Sequence, residues 1–178
     1  MKLYEAVAAA RIYLGEESAP PDVAEEDTLT RRLVDCANLA LAEIAAEYAP
    51  LTARSKVVAT DGGFEISALP KRATKIKKVF KDGAEVAFRQ RARRCETNAD
   101  GTLEAEYEYL PHRAELNDEC DLDAAVGAKT LALGALAEYC AIQGMFEQSE
   151  GFAERFREDM RTVVRRSREI RLPKRRWE

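Results

Sequence analysis

The sequence predicts a mainly helical α+β protein: a bundle of about four helices, a small antiparallel β-sheet inserted between helices 2 and 3, and an extended C-terminal tail. Apolar residues make up 46% of the 178 residues, which is enough for the core of a single domain. Apolar positions recur at helical spacing in the first fifty residues and again after residue 120. Between these regions the apolar period falls to two, as is typical of strands.

Helices are expected at about residues 3–15, 28–48, 121–143 and 148–170. The second helix has a single apolar stripe, made of Leu33, Ala37, Leu41, Ile44 and Tyr48. Asp27 or Thr28 is suited to cap its N-terminus, and Pro50 ends it. The two prolines of GEESAPPD separate it from the first helix.

The third predicted helix is apolar on nearly all sides and rich in alanine and glycine, so we expect it to be central and closely packed. Asp121 and Asp123 suit its first turn, where negative charge is favourable. Gly144 marks the break before the fourth helix. That helix has an amphipathic stripe, made of Phe152, Phe156, Met160 and Val163.

The β insertion is predicted at about residues 54–110. Its short segments are rich in Val, Ile and Phe, and the turn signals DGG and KDG separate several of them. The glycines at 62, 63, 83 and 101 are interpreted as turn residues. In the last strand, Leu103, Ala105, Tyr107 and Tyr109 alternate with Glu104, Glu106 and Glu108, which predicts one buried and one solvated face.

Alternating arginines upstream of this strand predict a charge-paired hairpin. If residues 98–101 form its turn, Arg93 faces Glu106 and Arg91 faces Glu108. Each such pair across two strands contributes about 0.2–1 kcal/mol. We therefore expect the arginine cluster to be neutralised by the neighbouring strand, with a nucleic-acid-binding patch as the alternative.

No residue pattern in the chain is typical of an enzyme, and no metal or cofactor is expected. His112 is the only histidine and has no Cys or His at ligand spacing. The four cysteines, at 36, 95, 120 and 140, form no CxxC pair. We expect reduced thiols in a cytosolic setting. No apolar run is long enough to span a membrane, and the N-terminus is expected to be a helix rather than a signal peptide.

Charge is distributed unevenly along the chain. Residues 165–178 hold seven Lys/Arg and two Asp/Glu and carry +5, so the remainder of this −4 chain carries −9. An acidic body repels polyphosphate, which argues against a domain that grips DNA over its whole surface.

The chain resembles the head-to-tail adaptor (connector) proteins of tailed bacteriophages, including the tail tubular protein A type. The resemblance lies in the order of the helices and strands and in the composition of three stretches, and it extends over most of the chain. These stretches are ISALPKRATKIKKVFKDGAEV (66–86), LEAEYEYLPHRAELND (103–118) and DLDAAVGAKTLALGALAEYCAIQGMFEQSEGFAERFREDMR (121–161).

This resemblance implies a structural protein of the virion neck, assembled in the bacterial cytoplasm. Such adaptors form a ring, commonly a dodecamer, that docks beneath the portal vertex and extends the DNA channel between capsid and tail. The implied partners are the portal protein, neighbouring copies in the ring and the next tail or neck component. Double-stranded DNA passes through the channel on ejection without specific binding.

The resemblance also implies that a C-terminal arm, residues 171–178, inserts into the portal while residues 1–170 form the single domain. Tryptophan and arginine are the residues that most often anchor interfaces. The predicted docking residues are Arg171, Leu172, Pro173, Lys174, Arg175, Arg176 and Trp177.

Two alternatives stay open at the level of sequence. The first is a nucleic-acid-binding phage packaging or regulatory factor that uses the basic tail on phosphates, with Trp177 stacking on a base. The second is another ring of the neck, such as a stopper or a tail-completion protein.

Overall fold

The structure, a computed structural model, describes residues 1–16 and 27–167. Its helices are α1 (Leu3–Tyr13), α2 (Thr28–Glu43), α3 (Ala128–Ile142) and α4 (Phe146–Ser167), and a π-helical turn, Ile44–Tyr48, extends α2. Its strands are β1 (Leu51–Ala59), β2 (Gly63–Glu65), β3 (Ala73–Lys81), β4 (Ala84–Val86), β5 (Phe88–Gln90), β6 (Arg94–Thr97) and β7 (Gly101–Tyr109). The predicted fold class is confirmed, with the β insertion between the second and third helices.

Helix α3 lies at the centre of the bundle, as its composition predicts. Its residues 130–136 are all buried, because α1, α2 and α4 pack around it. The closest approach is at Gly134, where an added Cβ would lie 2.9 Å from the Cβ of Ala40 and 3.1 Å from the ring of Phe156. A glycine is required there because three helices meet with no room for a side chain.

The β insertion forms two small antiparallel sheets with a core of their own. One sheet has the order β1-β7-β3-β4 and the other β2-β6-β5. Leu103, Ala105, Tyr107 and Tyr109 are buried in this core, which confirms the predicted alternation along β7. That strand is central in its sheet, between β1 and β3.

Two Asp-Gly pairs form the tightest turns of the insertion. Asp61–Gly62 joins β1 to β2, and Asp82–Gly83 joins β3 to β4. All four residues have φ between 50° and 82°, the left-handed region that a type I′ hairpin turn requires. The turn signals in the sequence are therefore confirmed at these two places.

A linker, residues 110–127, joins β7 to α3 and is fastened to the bundle. The amide N–H groups of Leu3 and Tyr4 donate to the carbonyl groups of Asp118 and Leu116, which satisfies two of the orphan donors at the N-terminus of α1. The Asn38 side chain on α2 donates to the carbonyl of Ala114 at 2.9 Å and accepts from its N–H at 2.7 Å.

Helix α3 begins at Ala128, seven residues later than predicted. Asp121 and Asp123 are in the linker and not in the first helical turn. Asp121 instead accepts hydrogen bonds from Lys71 and Tyr109. Asp123 closes a turn by accepting from the N–H of Ala125 at 2.8 Å. These side-chain bonds compete with helix formation, and so the prediction was wrong at this end.

Arg11 connects the end of α1 to the start of α2. Its guanidinium forms ion pairs with Glu16 and with Asp27, the latter at 2.6 Å, and donates to the Thr30 hydroxyl at 2.8 Å. Asp27 is the N-cap of α2, as predicted, and accepts from the N–H of Leu29. The largely buried side chain of Arg11 therefore holds Glu16 and Asp27, the residues on either side of the segment 17–26.

Candidate interaction surfaces

The predicted docking arm, residues 171–178, lies outside the residues that the structure describes, as do the last three residues of the predicted fourth helix. Helix α4 is described to Ser167. The role of Trp177 and its basic neighbours therefore stays a prediction.

The predicted hairpin between residues 88–93 and β7 is wrong. Residues 98–101 connect two different sheets, because β6 pairs with β2 and β5 while β7 pairs with β1 and β3. Arg93 does not face Glu106, and Arg91 does not face Glu108. Arg91 forms its ion pair with Glu96, at 3.2 Å within the smaller sheet.

The glutamates of β7 are neutralised from both sides by other basic residues. Arg54 on β1 binds Glu106 at 2.8 Å, and Lys77 on β3 lies 3.7 Å from Glu108. The charge pattern correctly indicated that this glutamate face needs basic neighbours. It did not indicate which strands supply them, because three basic strands were available and β7 has two neighbours.

The two parts of the fold carry opposite charge. Residues 51–109, which form the β insertion, hold twelve Lys/Arg and nine Asp/Glu, a net +3. Residues 1–50 and 110–164 together hold nine Lys/Arg and twenty-one Asp/Glu, a net −12. The negative charge of the body therefore belongs to the helical part.

A groove of about 410 Å³ opens on the β insertion. Its apolar lining comprises Ile66, Leu69, Ala73 and Ala92, and its polar lining comprises Glu65, Ser67, Lys71, Arg72 and Arg93. Glu65 pairs with Arg94, and Lys71 pairs with Asp121. The guanidinium groups of Arg72 and Arg93 are exposed and bind no carboxylate among the described residues. This arginine groove was not identified from the sequence.

A second surface lies at the tip of the α3–α4 hairpin. Ile142 is 65% exposed and Phe146 is 72% exposed, the two highest fractions among the exposed large apolar residues of the described part. Glu147 and Glu150 follow on α4, exposed. We call these four residues the acidic turn. Its signal in the sequence was an apolar pair that spans the Gly144 break.

The Lys71, Tyr109 and Asp121 side chains form a compact cluster where β7 meets the linker. The Lys71 ammonium lies 2.6 Å from the Tyr109 oxygen and 2.9 Å from Asp121, and the Tyr109 hydroxyl donates to Asp121 at 2.6 Å. The hydrogen bond with Tyr109 raises the pKa of Lys71. Burial alone would raise the pKa of Asp121, but the hydrogen bonds from Tyr109 and Lys71 outweigh it, and that pKa is lowered. The cluster fastens the linker to the sheet.

Replacing Asp121 with asparagine is expected to lower the free energy of unfolding by about 1 kcal/mol at neutral pH, a value reduced by the partial exposure of the pair. A carboxylate with a lowered pKa stabilises the fold above its unfolded-state pKa and loses this effect as the pH falls. The difference between the two proteins should therefore fade as the pH falls below 3.8, the ordinary Asp value. Urea unfolding at a series of pH values measures this difference in the free energy of unfolding. A difference independent of pH would contradict the lowered pKa of Asp121.

The four cysteines are free, and burial raises the pKa of Cys36 and of Cys95 to about 11. His112 is exposed on the linker. Within residues 1–16 and 27–167, His, Cys, Asp and Glu side chains form no group suited to hold a metal ion. Over the same residues, no helix combines the length and apolarity needed to cross a membrane.

No protein-family model matches this chain, and no curated protein sequence is significantly similar to it.

Proposed function

We propose that this chain is a structural subunit of a tailed-phage neck, a head-to-tail adaptor that forms a ring beneath the portal vertex. The observation that carries the proposal is the position of the β insertion between the second and third helices of a four-helix body. That layout is the basis of the resemblance to the adaptor family. The proposed role is structural and not catalytic.

The distribution of charge supports the same role. A ring subunit needs two different surfaces that complement each other on neighbouring copies. This chain has a basic insertion and an acidic helical body, with an exposed apolar patch at the acidic turn. A channel that conducts DNA should also not bind it tightly, and a helical body of −12 disfavours polyphosphate binding.

Portal attachment through the C-terminal arm provides the test. Deleting residues 171–178, or replacing Trp177 with alanine, is expected to weaken capture by the portal protein encoded in the same genome roughly tenfold or more, a change of about 1.4 kcal/mol. Because Trp177 is the only tryptophan, its fluorescence in the full-length chain reports on the arm alone. It should shift when the portal is added.

Val58→Ser is the control, because it removes an exposed large apolar residue on β1, outside the arm, the arginine groove and the acidic turn. It should leave portal capture unchanged. Circular dichroism should show that the truncated chain keeps its helices. Portal capture that survives deletion of the arm would remove the docking role, and no capture by the full-length chain would remove the adaptor proposal.

One observation favours a second candidate, a nucleic-acid-binding factor. The β insertion is basic, and Arg72, Arg89 and Arg93 are exposed. Phosphate binding by these residues would produce a gel shift on DNA that weakens steeply with salt. A shift that persists in the Arg72→Glu/Arg93→Glu variant and is lost on deletion of the tail would assign the binding to the tail.

A further inference from the structure

We infer that the acidic turn of one copy docks into the arginine groove of a second copy of this chain. The inference names the neighbour contact of the proposed ring, and its biological meaning therefore rests on that function. Its physical basis is the complementarity of two surfaces that a single chain carries.

The groove has apolar walls and a surplus of positive charge. Its four charged lining residues, Glu65, Lys71, Arg72 and Arg93, sum to +2. Glu65 and Lys71 already have ion-pair partners, so the unpaired charge belongs to the two arginines. Arginine binds carboxylates with two parallel hydrogen bonds, which makes an acidic side chain the expected ligand of this site.

The acidic turn has the matching composition. Phe146 and Ile142 are exposed apolar side chains that need an apolar site to leave water. Glu147 and Glu150 lie beside them on the first turns of α4, and neither has an ion-pair partner among the described residues. Two exposed apolar side chains beside two carboxylates therefore match a groove that has apolar lining and two arginines without an ion pair among the described residues.

The two surfaces belong to different parts of the fold. The acidic turn lies at the C-terminal end of α3, whereas the groove is fastened through Lys71 and Asp121 to the linker before the N-terminal end of α3. Helix α3 has 15 residues and is about 22 Å long at 1.5 Å per residue. A contact between such separated surfaces is heterologous, and it closes into a ring when the rotation between copies closes.

Sedimentation velocity over a range of protein concentrations at low salt tests this contact. The full chain should associate, and the association should weaken as salt is raised. Arg72→Glu/Arg93→Glu and Phe146→Ser should each weaken it roughly tenfold or more, equivalent to about 1.4 kcal/mol. Lys81→Glu/Lys129→Glu makes the same change in net charge outside the groove and should associate like the wild type.

Mixing the two interface variants gives the sharpest result. The groove variant keeps its acidic turn, and the Phe146→Ser variant keeps its groove. Each variant alone should be monomeric, whereas an equimolar mixture should form a dimer of the two variants and no larger species. Only a heterologous contact between these two surfaces gives this pattern.

Four results would overturn the inference: a wild-type chain that is monomeric at every concentration, a groove variant that associates normally, a control that is weakened as much as the groove variant, or a mixture without the dimer. The assay contains no portal protein. A failure of portal capture would therefore leave this result standing, and the reverse also holds.

Discussion

Gly134→Leu is expected to lower the free energy of unfolding by about 3 kcal/mol, the upper range for overpacking a core. Even a bare Cβ at this position would lie 2.9 Å from the Cβ of Ala40 and 3.1 Å from the Phe156 ring. The remaining three carbons of leucine would force α2 and α4 away from α3. The gain in helix propensity over glycine, about 0.8 kcal/mol, is too small to offset this.

Gly151→Leu is the matched control, because Gly151 is exposed on α4 and an added Cβ there meets nothing within 4 Å. The same substitution should raise stability by about 0.5–1 kcal/mol through helix propensity alone. Urea unfolding followed by circular dichroism measures both variants. Equal effects at the two positions would show that the three-helix contact at Gly134 is not as close as described.

Gly63→Ala is expected to cost about 2–3 kcal/mol in the β insertion. The added methyl would lie 2.3 Å from the backbone carbonyl oxygen of Cys95. That oxygen belongs to β6, which pairs with β2 at this point, so it cannot rotate away as a side chain would. The two strands must separate or lose their register.

Gly127→Ala adds the same methyl group where nothing lies within 4 Å; because Gly127 is the N-cap of α3, where alanine is less favourable than glycine, its cost should be about 1 kcal/mol or less. Amide hydrogen exchange would locate the loss in Gly63→Ala. We expect the fastest added exchange in β2 and β6, because the sheets have a core separate from that of the bundle. A Gly63→Ala protein as stable as the wild type would contradict the strand contact.

Patterns that depend on near neighbours in the chain were predictable from the sequence. The stripe of α2, the cap at Asp27, the break at Gly144 and the alternation along β7 all follow from a period or a turn residue. In each of these cases the conformation that the residue favours locally is also the one that its tertiary contacts stabilise. The order of the elements and the position of the β insertion follow from the same patterns.

The predictions that failed concerned residues whose partners are distant in the chain. The segment 121–127 begins with acidic residues that suit a first helical turn, yet Asp121 is held by two residues of the β insertion. Arg91 and Arg93 lie close to β7 in sequence, yet its glutamates bind Arg54 and Lys77, which are 52 and 31 residues away from their partners. The arginine groove was missed for the same reason, since it brings together residues 65–73 and 92–93.

The ion pairs of Arg11 with Glu16 and Asp27 have a practical consequence for engineering. Because Glu16 and Asp27 are both held by one guanidinium, the spacing of α1 and α2 is fixed by contacts outside the segment 17–26. Doubling the length of a chain segment between two held ends costs only about 0.6 kcal/mol of closure entropy. An insertion between Glu16 and Asp27 should therefore leave the spacing of α1 and α2 unchanged, whereas the same insertion at Asp82–Gly83 would destroy a two-residue turn.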